Sequence, residues 1–487
     1  MTRRSSTRTP ATVVPEPAAV PEPAALPEPA TELERLAGWV DSRTGLGSFA
    51  RTALRKVFPD HWSFLLGEVA LSCFVILVAT GTFLAFFFVP SQAPATYEGA
   101  YQPIAGSSVS SAYESVLRLS FDVRAGLLMR QVHHWTALIF IGAIVIHLCR
   151  VFFTGAFRRP REINWLIGFG LLTFAIGEGF TGYSLPDDLL SGTGLRIAYS
   201  VLLSVPFVGP SLAFLAFGGP FPGPAVISRL FVFHIMLLPA LLIGGISAHL
   251  FLIWTQKHAQ YRRPRATERN VIGQRFWPTQ ALRSTGLFLL TASVTTLIGG
   301  LIQINPVWLY GPFVPSVASS PAQPDWYVGF LEGALRLGPS FEPTILGVTI
   351  PSVFVPGIVI PGILFGAIAL WPFLEAWRTG DHAEHHILDM PWDAPRRSAT
   401  GVAMLAVLAM LTMAGGNDVL ATTFNVRVED LTDALRLLTV AVPILAWLVT
   451  YLLLVERAKS GDGPRRVGHG REVRRTTDGG FEEVDLG

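Results

Sequence analysis

Long apolar stretches separated by polar connectors set the pattern of this chain. A bilayer core of about 30 Å takes roughly 20 apolar residues of helix. Eight stretches qualify: 64–89, 132–153, 163–183, 230–254, 284–304, 350–371, 400–415 and 435–455, the seventh being short. Residues 195–217 are a ninth candidate, but Pro206 and Pro210 interrupt the run, and Ser and Gly crowd its flanks. The pattern predicts an all-α integral membrane protein with eight transmembrane helices.

Charge decides between eight and nine. With eight spans and a cytoplasmic start, the inner segments hold 29 of the 37 Lys and Arg residues, which is the positive-inside bias. A ninth span would move the basic segment 257–283 and the C-terminal tail outside. Residues 195–217 are therefore expected as amphipathic surface helices in the outer loop after the third span. Residues 1–57 form a Pro/Ala/Glu-rich tail that includes VPEPAAVPEPAALPEPA at 14–30, and 457–487 form a polar, Gly-rich tail. Both are expected to be cytoplasmic, and the first to be disordered. Between them lie a four-helix bundle over 58–275 and a C-terminal four-helix region over 276–456.

Composition agrees. Of 487 residues, 50% are hydrophobic and only 15% charged, against about 25% for a soluble domain. A net charge of +2 gives no reason to expect a nucleic-acid partner. Two cysteines, Cys73 and Cys149, exclude a disulfide scaffold, and no C-x-x-C-H motif for a c-type haem occurs.

Histidines carry the candidate chemistry. His133, His134 and His147 lie in the second stretch, His234 and His249 in the fourth. Ionisable groups inside a membrane are costly, so function is the first reading. At about 100° per residue, the 14-residue step from His133 to His147 falls roughly 40° short of four turns, and the 15-residue step from His234 to His249 overshoots by about 60°. Each pair therefore shares a helix face, its members about 21–22 Å apart along the axis. His134 points away from the face of His147 and packs elsewhere. Two facing helices with histidines at two matched depths can clamp two flat macrocycles, each iron taking two neutral imidazoles and keeping no open position. The competing reading is of hydrogen-bonded core histidines or a proton path. Gly67 and Gly81 in the first stretch, and Gly168 and Gly182 in the third, repeat the 14-residue step and leave room for a bulky plane.

On these residues the chain resembles cytochrome b of the quinol:cytochrome c oxidoreductases (bc1 complexes). The motifs are R-x-x-H at 130–133, H-x-x-R at 147–150, the glycine quartet, G-Y-S-L-P at 182–186, R-L-F-V-F-H at 229–234 and P-D-W-Y at 324–327. Q-K-H-A-Q at 256–260, P-D-D-L-L-S-G at 186–192 and G-G-N-D at 415–418 resemble the actinobacterial branch, whose quinone is usually menaquinone. The resemblance implies two b haems, with His133 and His234 on the outer iron and His147 and His249 on the inner one. Arg130, Arg229 and Arg150 would pair with haem propionates. Asp325, where the family more often has Glu, would take a proton from quinol at the outer face, with Trp326 and Tyr327 shaping the pocket. Implied partners are a Rieske iron–sulfur subunit, a dihaem cytochrome c subunit, a terminal oxidase in a supercomplex, membrane lipids and a second copy in a homodimer.

Lys257, His258 and His61 lie near the inner face without a defined role, and His382, His385 and His386 read as a solvated polar loop. Two rival readings are a dihaem anchor of another respiratory enzyme, which needs no P-D-W-Y loop, and a histidine-relay transporter, which predicts no haem spectrum.

Overall fold

The computed structural model describes residues 31–317, 323–345, 347–460, 471–475 and 481–485. Two units separate, Met1–Leu54 and Arg55–Gly487. In the first, the repeat at 14–30 lies outside the described residues. Disorder is expected as far as residue 57, yet Glu32–Thr44 and Leu46–Leu54 are helices. The reason is local. Thr31 and Glu34 form a capping box, and Gly45 closes the first helix at φ 64°.

In the second unit, eight helices among the described residues are long and apolar enough to cross a membrane. They are α1 (Trp62–Ala85), α2 (Gly126–Phe153), α3 (Glu162–Tyr183), α4 (Val226–Gln256), α5 (Phe276–Leu301), α6 (Val355–Thr379), α7 (Pro395–Gly415) and α8 (Val428–Lys459). All eight expected stretches are present. The ninth candidate is two helices too short to span, Leu189–Leu203 and Gly209–Phe217. Their break lies at Pro206 and at Phe207, which takes φ 66°. At the C-terminal end, Arg471–Arg475 and Phe481–Asp485 pair as antiparallel strands.

Packing builds the bundle in pairs. Helix α2 lies along α1, α4 lies along α3, α2 touches α3, and α5 closes against α1 and α2. Ala70, Cys73, Phe140, Ile141, Leu172 and Ala175 form the apolar centre between α1, α2 and α3. Helix α7 packs on α8, whose Leu437, Val440 and Ile444 are exposed, as side chains facing lipid should be. Strand Val57–Pro59 pairs with Gly273–Arg275 and ties the entry of α1 to the entry of α5. A Cβ at Gly273 would lie 1.8 Å from the Phe58 carbonyl, so only glycine fits that crossing.

A short helix, Gly329–Leu337, follows the P-D-W-Y segment and lies backbone-to-backbone on α7. A Cβ at Gly333 would sit 1.7 Å from the Leu411 carbonyl. Gly333→Ala is therefore expected to push this helix off α7 at a cost of roughly 1–3 kcal/mol. Thermal unfolding in detergent should show a lowered midpoint. Gly362→Ala in α6, where nothing lies within 4 Å, should leave it nearly unchanged.

Candidate functional site

Helices α2 and α4 bring the four histidines together as two pairs. The ring centres of His133 and His234 are 6.2 Å apart, and those of His147 and His249 are 6.5 Å apart. In both pairs the ring planes cross at 75°. A metal–imidazole bond is about 2.0–2.1 Å and a ring nitrogen lies about 1.1 Å from its ring centre, so two imidazoles on one metal have centres about 6.3 Å apart. Both gaps match a single metal atom held on axis.

The unequal steps of 14 and 15 residues are reconciled inside α4. Residues Phe233–Leu237 form a π-type turn, with the amide of Leu238 donating to the carbonyl of Phe233. Pro239 has no N–H and its ring crowds the carbonyl four residues back, which favours this wider turn. A π-turn absorbs one extra residue, so the 15-residue step in α4 behaves as the 14-residue step in α2.

Each glycine of the quartet faces one histidine. A Cβ would lie 3.2 Å from His147 at Gly67, 3.1 Å from His133 at Gly81, 3.3 Å from His249 at Gly168 and 2.5 Å from His234 at Gly182. The glycines thus let α1 and α3 approach the rings. The ring nitrogens on this side are held at one level. His133 Nδ1 lies 2.9 Å from Thr80 Oγ1, whose own hydroxyl donates to the Ile76 carbonyl. His133 must therefore donate from Nδ1, which leaves Nε2 as the free lone pair. His234 Nδ1 likewise donates to the Glu178 carbonyl at 3.1 Å. At the other level, Nδ1 of His147 and of His249 is buried without a partner.

Of the three arginines expected to meet propionates, two keep unpartnered donors. Arg130 donates through Nη1 to the Asn305 carbonyl at 3.0 Å, while its Nε and Nη2 are buried and unpartnered. Arg150 lies over the Phe64 ring at 4.2 Å, and its Nε and Nη2 are also buried and unpartnered. One unused guanidinium edge at each level suits a macrocycle carboxylate. The residues fit a b haem at both levels. Arg229 does not share this arrangement. Its Nη1 donates to the carbonyls of Leu215 and Phe214 at 2.6 and 3.4 Å, because the surface helix Gly209–Phe217 folds back over the start of α4 and needs its C-terminal carbonyls closed.

Asp325 sits between two donors. His134 Nε2 donates to Oδ1 and Oδ2 at 2.9 and 3.1 Å, and the Tyr327 hydroxyl donates to Oδ2 at 3.1 Å. Both Asp325 and His134 are largely buried, with side-chain exposures of 15% and 11%. Tyr327 is 3% exposed, whereas Trp326 is 45% exposed. Helical periodicity gives His134 no role, since it lies off the face of His133 and His147. Its only signal is the doubled histidine at 133–134, one face turned to His234 and the other to the P-D-W-Y segment.

At the opposite end, a cavity of about 730 Å³ is lined by His147, His249, Arg150, His61, Lys257 and His258, with Asp60, Glu68 and Arg283 at its walls. The three polar residues without a defined role thus share one space with the second histidine pair. Burial, with Lys56 beside it, pushes His258 down to about 3. Glu68 accepts from Gln280 and Ser284 of α5, both at 2.7 Å. His385 pairs with Asp381 at 2.9 Å and His386 accepts from Arg161 at 2.8 Å, so this loop is held by ion pairs and hydrogen bonds.

The chain is similar to known proteins over most of its length. A family profile described as cytochrome b (N-terminal)/b6/petB matches residues 138–312. The cytochrome bc1 complex cytochrome b subunit of Streptomyces coelicolor is 46% identical over 93% of this chain and 83% of its own length. That of Mycobacterium tuberculosis is 46% identical over 86% of this chain and 76% of its own. That of Corynebacterium diphtheriae is 43% identical over 88% and 79%. This chain belongs to the cytochrome b subunits of the bc1 complex. A chain of a hyperthermophilic respiratory Complex III, 19% identical, covers 85% of this chain and 99% of its own length with a TM-score of 0.63, so the fold is shared as well.

For this cytochrome b, the glycine distances predict a gradient. Gly182→Ala puts a Cβ 2.5 Å from the His234 ring, and Gly168→Ala puts one 3.3 Å from His249. Reduced-minus-oxidised spectra of the purified variants should show Gly182→Ala losing one b-type component and Gly168→Ala keeping both.

Proposed function

We propose that this subunit works in a quinol:cytochrome c oxidoreductase of the plasma membrane, oxidising menaquinol at its Asp325 end and reducing a quinone at its Lys257 end. The observation that carries the reading is the pair of 6.2 and 6.5 Å gaps between imidazoles of α2 and α4, one at each depth. His133 and His234 would hold the outer b haem, and His147 and His249 the inner one, with Arg130 and Arg150 offering their free N–H groups to propionates. When bound, these haems supply the one-electron chemistry that side chains lack.

The protein's own residues do the rest. The Asp325 carboxylate accepts a proton from quinol, and His134 and Tyr327 hold it in one rotamer for that transfer. Asp is one methylene shorter than the family's usual Glu, so its placement relies on these two donors. Tyr327 and Trp326 line the pocket. One electron leaves to a Rieske iron–sulfur subunit and the other crosses the membrane, so protons are released at one face and taken up at the other. The part of the cavity lined by Lys257, His258 and His61, beyond the histidine pair, is the proposed inner quinone site.

The chain has two cysteines and no c-type haem motif, which supports separate iron–sulfur and dihaem cytochrome c subunits. A homodimer, and a supercomplex with a terminal oxidase, complete the proposed assembly within membrane lipid. The distribution of Lys and Arg supports cytoplasmic termini, with 1–57 and 457–487 as tails around the halves 58–275 and 276–456.

Two measurements test this reading. Replacing His133 or His234 by Leu should remove one b-type spectral component, and replacing His147 or His249 the other; loss of neither ends the ligand assignment. Asp325→Asn should slow quinol oxidation on the order of 10²-fold with both components intact. Unchanged turnover would remove its proton role.

A further inference from the structure

Buried polar atoms without partners gather around one loop at the Asp325 end. Helix α2 grips the start of that loop: Arg130 Nη1 donates to the Asn305 carbonyl at 3.0 Å, and Gln131 exchanges two hydrogen bonds with Ile304, at 2.8 and 2.7 Å. The turn after α3 grips its far end, the Leu189 amide donating to the Gly311 carbonyl at 3.0 Å and the Phe313 amide to the Asp187 carbonyl at 2.9 Å. Within this frame Asn305 Oδ1, Gln92 Oε1 and Asp188 Oδ2 are all buried and unpartnered. Such a set calls for ordered water or a moving proton between its members.

Asp188 is the most telling of them. It is 1% exposed. Its Oδ1 accepts from the Ser191 amide at 2.8 Å and caps the helix Leu189–Leu203. Capping needs one oxygen, so Oδ2 is left without a structural task. Asp188 bridges to Pro312 of the gripped loop, which sets Tyr310 two residues from that contact. The charged or titratable groups whose fields reach its carboxylate are Arg130 from α2, Tyr113 from the helix Ser111–Phe121, Tyr183 from α3, Tyr310 and its neighbour Asp187. Tyr310 lies within the influence of both carboxylates. Burial raises its phenol above the ordinary range, and Asp188 and then Asp325 act in the same direction.

We propose that Asp188 is a second proton acceptor serving the quinol-oxidation site, receiving through Tyr310 the proton that Asp325 takes from quinol and releasing it at the outer surface. The inference rests on the proton role proposed above for Asp325. The transfer balances. Quinol gives a proton to the Asp325 carboxylate. The resulting acid gives it to the Tyr310 oxygen while the Tyr310 hydroxyl proton passes to Asp188 Oδ2, with water bridging the gaps. Asp188 then loses the proton beside Asp187 and Gln92, which are themselves joined at 3.2 Å. All three groups return to their starting states. Burial suits Asp188 to this work, pushing it up to about 6 against the opposing pull of Ser191 and Arg130. Above that pH it is a carboxylate and can accept; as pH falls through about 6 it is already protonated and the relay closes.

The test uses the purified complex. Asp188→Asn keeps the cap, since Asn caps helices as well as Asp does, but cannot accept a proton. Quinol oxidation at neutral pH is expected to fall roughly tenfold, with both b-type components unchanged. The loss of rate below about pH 6 should vanish from the remaining activity. Asp188→Glu should restore rate. In the resting complex, a pH titration followed by infrared spectroscopy should lose one carboxylic-acid carbonyl band in Asp188→Asn. Normal turnover with an unaltered pH profile, or a full set of carboxylic bands, in Asp188→Asn overturns the proposal. Full turnover in Asp325→Asn would instead overturn the reading beneath it, whatever Asp188 does.

Discussion

Four imidazoles held at two depths between α2 and α4 constrain the elements around them. A polar ring inside an apolar bundle needs partners for both nitrogens, and here the two nitrogens are treated differently. At the first level Nδ1 is committed to Thr80 in one ring and to the Glu178 carbonyl in the other. Nε2 is left uncommitted in each ring, and the distance between the ring centres fits one metal atom. The glycines of α1 and α3 follow from this requirement, because a Cβ would crowd the ring at three of them and clash with it at Gly182. The wide turn at Phe233–Leu237 follows as well, because it brings two unequal helical steps into one register.

The two ends of the bundle are chemically unlike. At the Asp325 end, the carboxylates Asp325, Asp187 and Asp188 are sunk among tyrosines, and loop 304–313 is held from both α2 and the turn after α3. That crowding restricts how far any of these groups can move, which suits short proton transfers between fixed oxygens. At the Lys257 end the second histidine pair shares one cavity with His61, Lys257, His258 and Glu68.

The C-terminal helices support the Asp325 end. The helix Gly329–Leu337 begins directly after Tyr327 and meets α7 at glycines on both sides, Gly333 against Leu411 and Gly415 against Gly329. Arg397, 3% exposed, ties α7 to Glu375 of α6 and to Asp389 at the other face. The P-D-W-Y segment is thereby anchored to rigid helices, and Asp325 can hold a fixed relation to His134.

The linear order of residues by itself determined the eight spans, the two histidine pairs and the glycine quartet, because helical periodicity and hydropathy are local properties that neighbours in the chain cannot hide. It also marked Arg130, Arg150 and Asp325 through motif resemblance. Tertiary structure alone decided the rest. Arg229 is drawn to the carbonyls of a surface helix, a contact set by how the loop after α3 folds back. His134 meets Asp325 across 191 residues of sequence, a separation no periodicity can report. The helices at Glu32–Leu54, within a stretch whose Pro-rich start suggests disorder, arise from a capping box and a glycine stop. Asp188 shows the boundary most sharply. Its sequence neighbours mark it as a helix cap, and only the packing of α2, α3 and loop 304–313 leaves its second oxygen buried and without a partner. What a side chain can do chemically is written in its identity, whereas whether it is free to do it depends on which distant atoms the fold brings to it.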